Sequence, residues 1–212
     1  MSRDLRDRRV AALSTAEAEE LRRDIVYLNI QELKRLSAAN QIPYVIHIER
    51  GDGTIVKSRD IDRKGIMIDR LRKFLTSGAV TPSTLFKRTV VSFAKRTGAL
   101  TESDRALYGE YKNGDPEILR LMRRLTGGRF AFGAIAQEIL RARWASGEAP
   151  TYAEFARLWL TADARRGKPH PEWAFLADLA KGDAGPDWKR FRAAKAARVL
   201  ALVERATVAA KG

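Results

Sequence analysis

The sequence predicts a mainly α protein interrupted by a single β-hairpin. Three observations predict it: N-cap signals that recur along the chain, apolar residues at helical spacing, and one stretch of period-two alternation around a Gly/Asp turn. With 212 residues, 45% of them hydrophobic, the chain can form one large or two small domains with a real core.

Ser14-Thr15-Ala16-Glu17 has capping-box spacing and opens a helix to about Asp24 or Tyr27. Asn29-Ile30-Gln31-Glu32 repeats the logic and starts a helix from Ile30 to Ala39. Tyr44, Ile46 and Ile48 then alternate with Val45, His47 and Glu49, and Arg50-Gly51-Asp52-Gly53 leads into Thr54-Ile55-Val56-Lys57; this reads as a hairpin over 44–58. Met67, Ile68, Leu71, Phe74 and Leu75 share one face of a helix from Arg63 to Thr76, which leaves Arg70, Arg72 and Lys73 on the opposite side. Gly78 stops that helix, and Pro82 starts another that runs to Arg96.

Beyond Gly98 the chain reads as helical throughout. Thr101 to Asp104, Asp115-Pro116-Glu117, Thr151 to Glu154, Pro171-Glu172-Trp173 and Pro186-Asp187-Trp188 each place a cap or an N1 proline before first-turn acids. Trp144, Trp159, Trp173 and Trp188 fall at near-even spacing, one core anchor per short helix. Gly127-Gly128 ends one helix and opens the next, with Phe130, Phe132, Ile135, Tyr108 and Tyr111 in or beside the core. The domains expected are an N-terminal helix (1–27), a small module (28–78) and a helical C-terminal domain (82–212). Gly78–Pro82 is the preferred boundary and Gly98–Thr101 the second choice.

Charge narrows the function. The chain carries a net +14; its first 49 residues balance eight cations against eight acids, whereas Arg50 to Arg96 holds twelve Lys/Arg and four acids, an excess of +8. Positive charge gathered beside a small helix is what a phosphate-backbone binder needs. Arg63, Lys64 and the backbone of Gly65 stand at the helix start, where unpaired N–H groups and the dipole favour an anion. Arg70, Arg72 and Lys73 flank them, and Lys57 and Arg59 on the hairpin exit extend the track. Lys34 and Arg35 on the preceding helix read as a solvated face or as a further part of the track. Lys189, Arg190, Arg192, Lys195 and Arg198 on the last helix, Trp188 to Ala209, read as a solvated surface in preference to a second patch. Asn and Gln, the base readers, are scarce in the basic stretch, so weak sequence specificity is expected.

Leu28-Asn29-Ile30-Gln31-Glu32-Leu33-Lys34-Arg35-Leu36, the exit Gln41-Ile42-Pro43, and Arg63-Lys64-Gly65-Ile66-Met67-Ile68-Asp69-Arg70-Leu71-Arg72-Lys73-Phe74-Leu75 resemble the SAP motif. That is a small helix–extended–helix DNA-binding module. The resemblance implies that the second helix and the turn before it approach the DNA backbone, with Lys64 and Gly65 nearest phosphate and Arg63 and Arg70 beside them. The chain departs from the family pattern in two places: the hairpin intervenes between Pro43 and Arg63, and lysine precedes glycine in the turn. Leu125-Thr126-Gly127-Gly128-Arg129-Phe130-Ala131-Phe132-Gly133 together with Pro150-Thr151-Tyr152-Ala153-Glu154-Phe155-Ala156-Arg157-Leu158-Trp159 is similar to a helical domain of unknown role found behind SAP modules in bacterial proteins.

Catalytic signatures are sparse. The chain has no Cys, and its two histidines, His47 and His170, are far apart, so neither metal nor other cofactor is expected. Glu32-Leu33-Lys34, with Asp24 upstream, has the acid–x–lysine spacing of one nuclease class but lies within a helix. Asp60 and Asp62 read as caps for the helix that follows. No phosphate loop, dinucleotide turn or serine elbow is present. No apolar run approaches the ~18 residues of a membrane span, and the first residues lack the apolar region of a signal peptide. The expectation is a non-enzymatic, cytoplasmic protein, nucleoid-associated if bacterial, that binds duplex DNA in preference to RNA, with a possible protein partner on its C-terminal domain. The alternatives are an adaptor whose basic surface meets an acidic protein, or an RNA-associated accessory factor.

Overall fold

Ser14 opens the first helix with both halves of a capping box: its hydroxyl accepts the Glu17 N–H and the Glu17 carboxylate accepts the Ser14 N–H. The computed structural model of the chain describes residues 13–165 and 186–208. They form a mainly α protein with a small hairpin inserted among the N-terminal helices and a multi-helix region after it. Pro171-Glu172-Trp173 and His170 lie outside the described residues. No described helix is long and apolar enough to cross a membrane.

The chain divides into two compact units. One draws on Met1–Val45, Ile61–Ser83 and Pro169–Gly212, the other on Ile46–Asp60 and Thr84–Lys168. In the first unit, α1 (Thr15–Asp24) leads through a 3-10 turn (Ile25–Tyr27) to α2 (Ile30–Ala39). Asn29 caps α2 by accepting the Gln31 and Glu32 N–H groups at 2.9 Å, and Glu32 accepts the Asn29 N–H at 2.6 Å. Past its end Gln41 adopts φ 56°, a left-handed position usually left to glycine, and the Ile42 N–H reaches back to the Ser37 carbonyl at 2.8 Å. α3 (Lys64–Ser77) ends at Gly78, whose φ of 66° lets its N–H close on the Phe74 carbonyl.

The apolar face read from the sequence, Met67, Ile68, Leu71, Phe74 and Leu75, is the buried face of α3. Arg70 is buried with it, at 6% exposure, and this corrects its assignment to the opposite side. Three residues beyond Met67, its Cα lies only about 60° short of that residue around the helix, on the border of the apolar face. The side chain turns inward, where its guanidinium donates to the buried carboxylate of Asp62 at 2.5 Å and to the Pro43 carbonyl at 2.7 Å. Asp62, read from the sequence as a cap, is the counter-ion of Arg70.

The last helix of the chain, α7 (Pro186–Val208), belongs to this first unit. Ala196, Val199, Leu202, Val203 and Ala206 form its apolar stripe and share a core with Leu21, Ile25, Leu28, Leu33 and Leu71. Its cations correct the expectation of a solvated face. Arg192 pairs with Glu32 at 3.0 Å, Lys195 with Asp24 at 2.6 Å, Arg198 with Glu20 at 3.1 Å and Arg205 with Glu17 at 2.7 Å. Lys189 and Arg190 alone of the predicted set stay exposed and outside this ladder.

In the second unit β1 (Val45–Glu49), β2 (Ile55–Ile61) and β3 (Leu85–Phe86) form a sheet in the order β2-β1-β3. β3 runs parallel to β1, with His47 opposite Leu85 and Ile48 opposite Phe86. This corrects the helix predicted from Pro82 to Arg96: Phe86 and Val90 are buried, a 3-10 turn occupies Arg88–Val90, and Val91 bridges Tyr108. Thr84, Thr89, Val90 and Val91 are β-branched, and pairing with β1 outweighs the local start signal at Pro82. Thr101 to Asp104 likewise starts no helix. The Asp104 carboxylate accepts the Thr101 N–H at 2.7 Å to close a turn, and residues 104–106 then pair with 150–152.

α4 (Pro116–Leu125) begins behind Asp115 and α6 (Tyr152–Ala164) behind the Thr151–Glu154 capping box, as the caps predict; α5 (Ala134–Ala145), between them, starts after Gly133 without a side-chain cap, which corrects the helix start expected at Gly127-Gly128. Phe86, Phe130, Trp144, Phe155 and Trp159 build an aromatic core, and the Trp144 indole N–H donates to the Ala106 carbonyl at 2.8 Å.

Two outcomes follow from the first unit. Arg70→Ala strips Asp62 of its guanidinium in the core and is expected to cost about 3–5 kcal/mol in urea unfolding, whereas Arg70→Met with Asp62→Leu recovers most of the loss. The second concerns acid. The Arg205 hydrogen bond, then those from Ser14, hold the Glu17 carboxyl at about 2. Burial works to raise Asp24 and Glu32, but hydrogen bonds outweigh it and leave both below the usual carboxylate range; they come from Arg23 and Lys195 to Asp24, and from Arg192 and the Asn29 N–H to Glu32. All three are depressed in the fold, so their stabilisation is complete above the unfolded values and is lost as pH falls through the folded ones. The melting temperature should hold from about pH 7 to about pH 5 and fall below about pH 4, less steeply in Lys195→Met.

Candidate nucleic-acid interface

The basic stretch does not assemble around the start of α3 in the way the sequence suggests. Arg63 is the N-cap residue there, and its side chain makes no cap. Lys64 sends its ammonium back to the Val26 carbonyl at 2.6 Å, and Gly65 is half-buried in the first turn. Arg70 belongs to the core. Arg72 donates to the Arg22 carbonyl at 3.1 Å and lies 3.6 Å from Asp69. Of the flank, Lys73 is exposed; on α2, Arg35 is exposed and Lys34 half-buried. Three of the cations assigned to a phosphate cradle are thus engaged by the fold itself: Lys64, Arg70 and Arg72.

The second unit presents its cations differently. Along β2, Ile55, Lys57 and Arg59 are exposed, while Val56, Ser58 and Asp60 alternate with them and are half-buried. The period of a strand therefore puts Lys57 and Arg59 together on one face. Ile46 and Ile48 of β1 face the core, leaving His47 and Glu49 on the outer side of the sheet. Arg50 follows β1 and Lys87 and Arg88 follow β3, all three exposed. The Lys87 side chain runs past Gly147, and the Arg88 N–H donates to the Glu49 carboxylate at 3.2 Å.

The residues read from the sequence leave out Arg50, Lys87 and Arg88, although the charge count from Arg50 to Arg96 includes them. Placed on a helix, Lys87 and Arg88 have no relation to the hairpin; placed after β3, they stand at the end of the strand that pairs with β1.

The four acids of the basic stretch all have protein partners. Asp52 accepts from the Thr54 N–H and hydroxyl, and Asp69 lies beside Arg72. Asp62 pairs with Arg70, and Asp60 accepts the Tyr108 hydroxyl at 2.7 Å with Arg141 at 3.6 Å. Asp60, read as a helix cap, instead holds Tyr108 and Arg141.

Glu32 and Asp24, the acid–x–lysine candidates, are tied to α7 and to the caps of α2. Among the described residues no group of three or more His, Cys, Asp or Glu could hold a metal ion. The His47 Nδ1 is buried without a hydrogen-bond partner among the described residues. No protein-family model, curated protein or solved structure matches the chain.

Proposed function

We propose that the protein binds nucleic acid without catalysing a reaction, engaging duplex DNA through its phosphates with little sequence specificity. One observation carries the reading: Arg50, Lys57, Arg59, Lys87 and Arg88 are exposed on or beside the three-stranded sheet, while the acids of the same basic stretch are occupied by protein donors. Exposed Lys and Arg on a sheet face bind phosphate oxygens as point charges and forks, and they displace condensed counterions in doing so. Few amides accompany them, which favours backbone contact over base reading.

The SAP resemblance is part of the same proposal. Its first helix and exit are supported by the left-handed Gln41, which stands where the family pattern carries glycine. On α2 and α3 the exposed Arg35 and Lys73 take over from Lys64 and Arg70 as phosphate contacts.

Fluorescence anisotropy on a short duplex across a salt series tests the reading. The logarithm of affinity should fall linearly with the logarithm of salt at roughly −0.9 per phosphate contacted. The Lys57→Glu/Arg59→Glu variant should lower that slope by about 2 and weaken binding at low salt more than tenfold, with an unchanged melting temperature. Affinity that ignores salt, or that survives this double reversal, overturns the proposal; tighter binding to an RNA duplex of equal length transfers it to RNA.

A further inference from the structure

We propose that the second unit contains a binding cavity for a single nucleobase, lined on one side by α5 and on the other by the irregular segment before α4. This cavity does not depend on the phosphate contacts proposed above. Its volume is about 270 Å³, at the small end of ligand sites and enough for one small ligand.

On α5, Gln137, Leu140, Arg141 and Trp144 recur at helical spacing, so one face of the helix makes one wall. Tyr108, Tyr111 and Asn113 come from the opposite segment. Phe93 also lines the cavity and is 66% exposed, although a ring of that size normally seeks cover. It is held on one side only. Its ring meets Tyr108 edge to face with centroids 6.1 Å apart and lies against Gly109, where a Cβ would come within 2.7 Å of it and 2.3 Å of the Ser92 carbonyl oxygen. Gly109, at φ 95°, is what allows this approach. The result is an anchored aromatic platform with surface left for stacking.

The polar groups select the ligand. Asp60 and Arg141 lie 3.6 Å apart and offset one another, so neither a small anion nor a small cation finds a net field. The Tyr108 hydroxyl is already committed to Asp60. The side-chain amides of Asn113 and Gln137, each both donor and acceptor, make no hydrogen bond among the described residues, and the buried Tyr111 hydroxyl has no partner there either. An aliphatic ligand would leave these groups unsatisfied. A flat, neutral heterocycle with donors and acceptors on its edge would stack on Phe93 and satisfy the amides, which is the chemistry of a purine or pyrimidine base. It could arrive as a free nucleoside or as an unpaired base within a strand.

Calorimetry and tryptophan fluorescence on the full chain, with adenosine, guanosine, cytidine, thymidine, ribose 5-phosphate and short single strands, test the proposal. At least one nucleoside should bind saturably and independently of salt, and ribose 5-phosphate should not. Phe93→Ala should weaken that binding about tenfold, and Gln137→Ala and Asn113→Ala should change the ranking among bases, all with an unaltered melting temperature. Lys57→Glu/Arg59→Glu should leave nucleoside binding untouched, which separates failure of this site from failure of the phosphate contacts. Equal affinity for nucleoside and strand identifies a free ligand, and tighter strand binding with the same Phe93→Ala loss identifies a base presented by a strand. No saturable binding of any nucleoside or strand, or binding indifferent to both Phe93→Ala and Gln137→Ala, overturns the site.

Discussion

Carboxylates buried in the first unit, Asp24, Glu32 and Asp62, must each be met by a cation, and this requirement decides which of the chain's many Lys and Arg face water. An ionised carboxylate taken out of solvent is tolerated only with a close partner. Asp62 takes Arg70, Asp24 takes Arg23 and Lys195, and Glu32 takes Arg192. The first pair joins α3 to the chain just ahead of it, and the other two bring α7, distant in sequence, against α1 and α2. Apolar burial along Val199, Leu202 and Val203 supplies most of the attraction between these helices, and the ion pairs stand beside that stripe.

The second unit follows a different logic. Here β1 is paired on both sides, by β2 and by β3, and beyond the two-residue β3 the chain follows a path without α-helix. That path carries Val90 into the core and passes through the bridges at Tyr108. It also explains why this unit holds both a cationic sheet face and a cavity. A segment without helical hydrogen bonds can present Phe93, Tyr108 and Asn113 toward one spot, while the strand period keeps Lys57 and Arg59 on the outer side of β2. The two features differ in chemistry: the sheet face carries several exposed cations beside the single carboxylate of Glu49, and the cavity has paired charge beside unengaged amides.

Helix caps and helix periodicity were legible in advance because both are local. Ser14, Asn29, Asp115 and Thr151 cap as their spacing predicts, the apolar stripe of α3 is buried as predicted, and the hairpin turns about Asp52-Gly53. Arg70 shows the limit of such reading. Its position on the border of the apolar face is compatible with solvent or core, and only Asp62 and the Pro43 carbonyl, brought there by the fold, settle the matter. Lys87 and Arg88 show another limit, since a start signal at Pro82 says nothing about a strand almost forty residues earlier.

By itself, then, the order of residues determined a mainly α chain with one hairpin, the starts of most of its helices, and a concentration of positive charge from Arg50 to Arg96. Tertiary structure alone decided which cations are consumed by buried acids, that residues 82–96 form β3, a 3-10 turn and irregular chain in place of an α-helix, and that Phe93, Gln137 and Asn113 line one cavity. The physical reason is range. Propensity, capping and periodicity act within a few residues, whereas the partner of a buried charge or an edge strand is chosen by proximity in space.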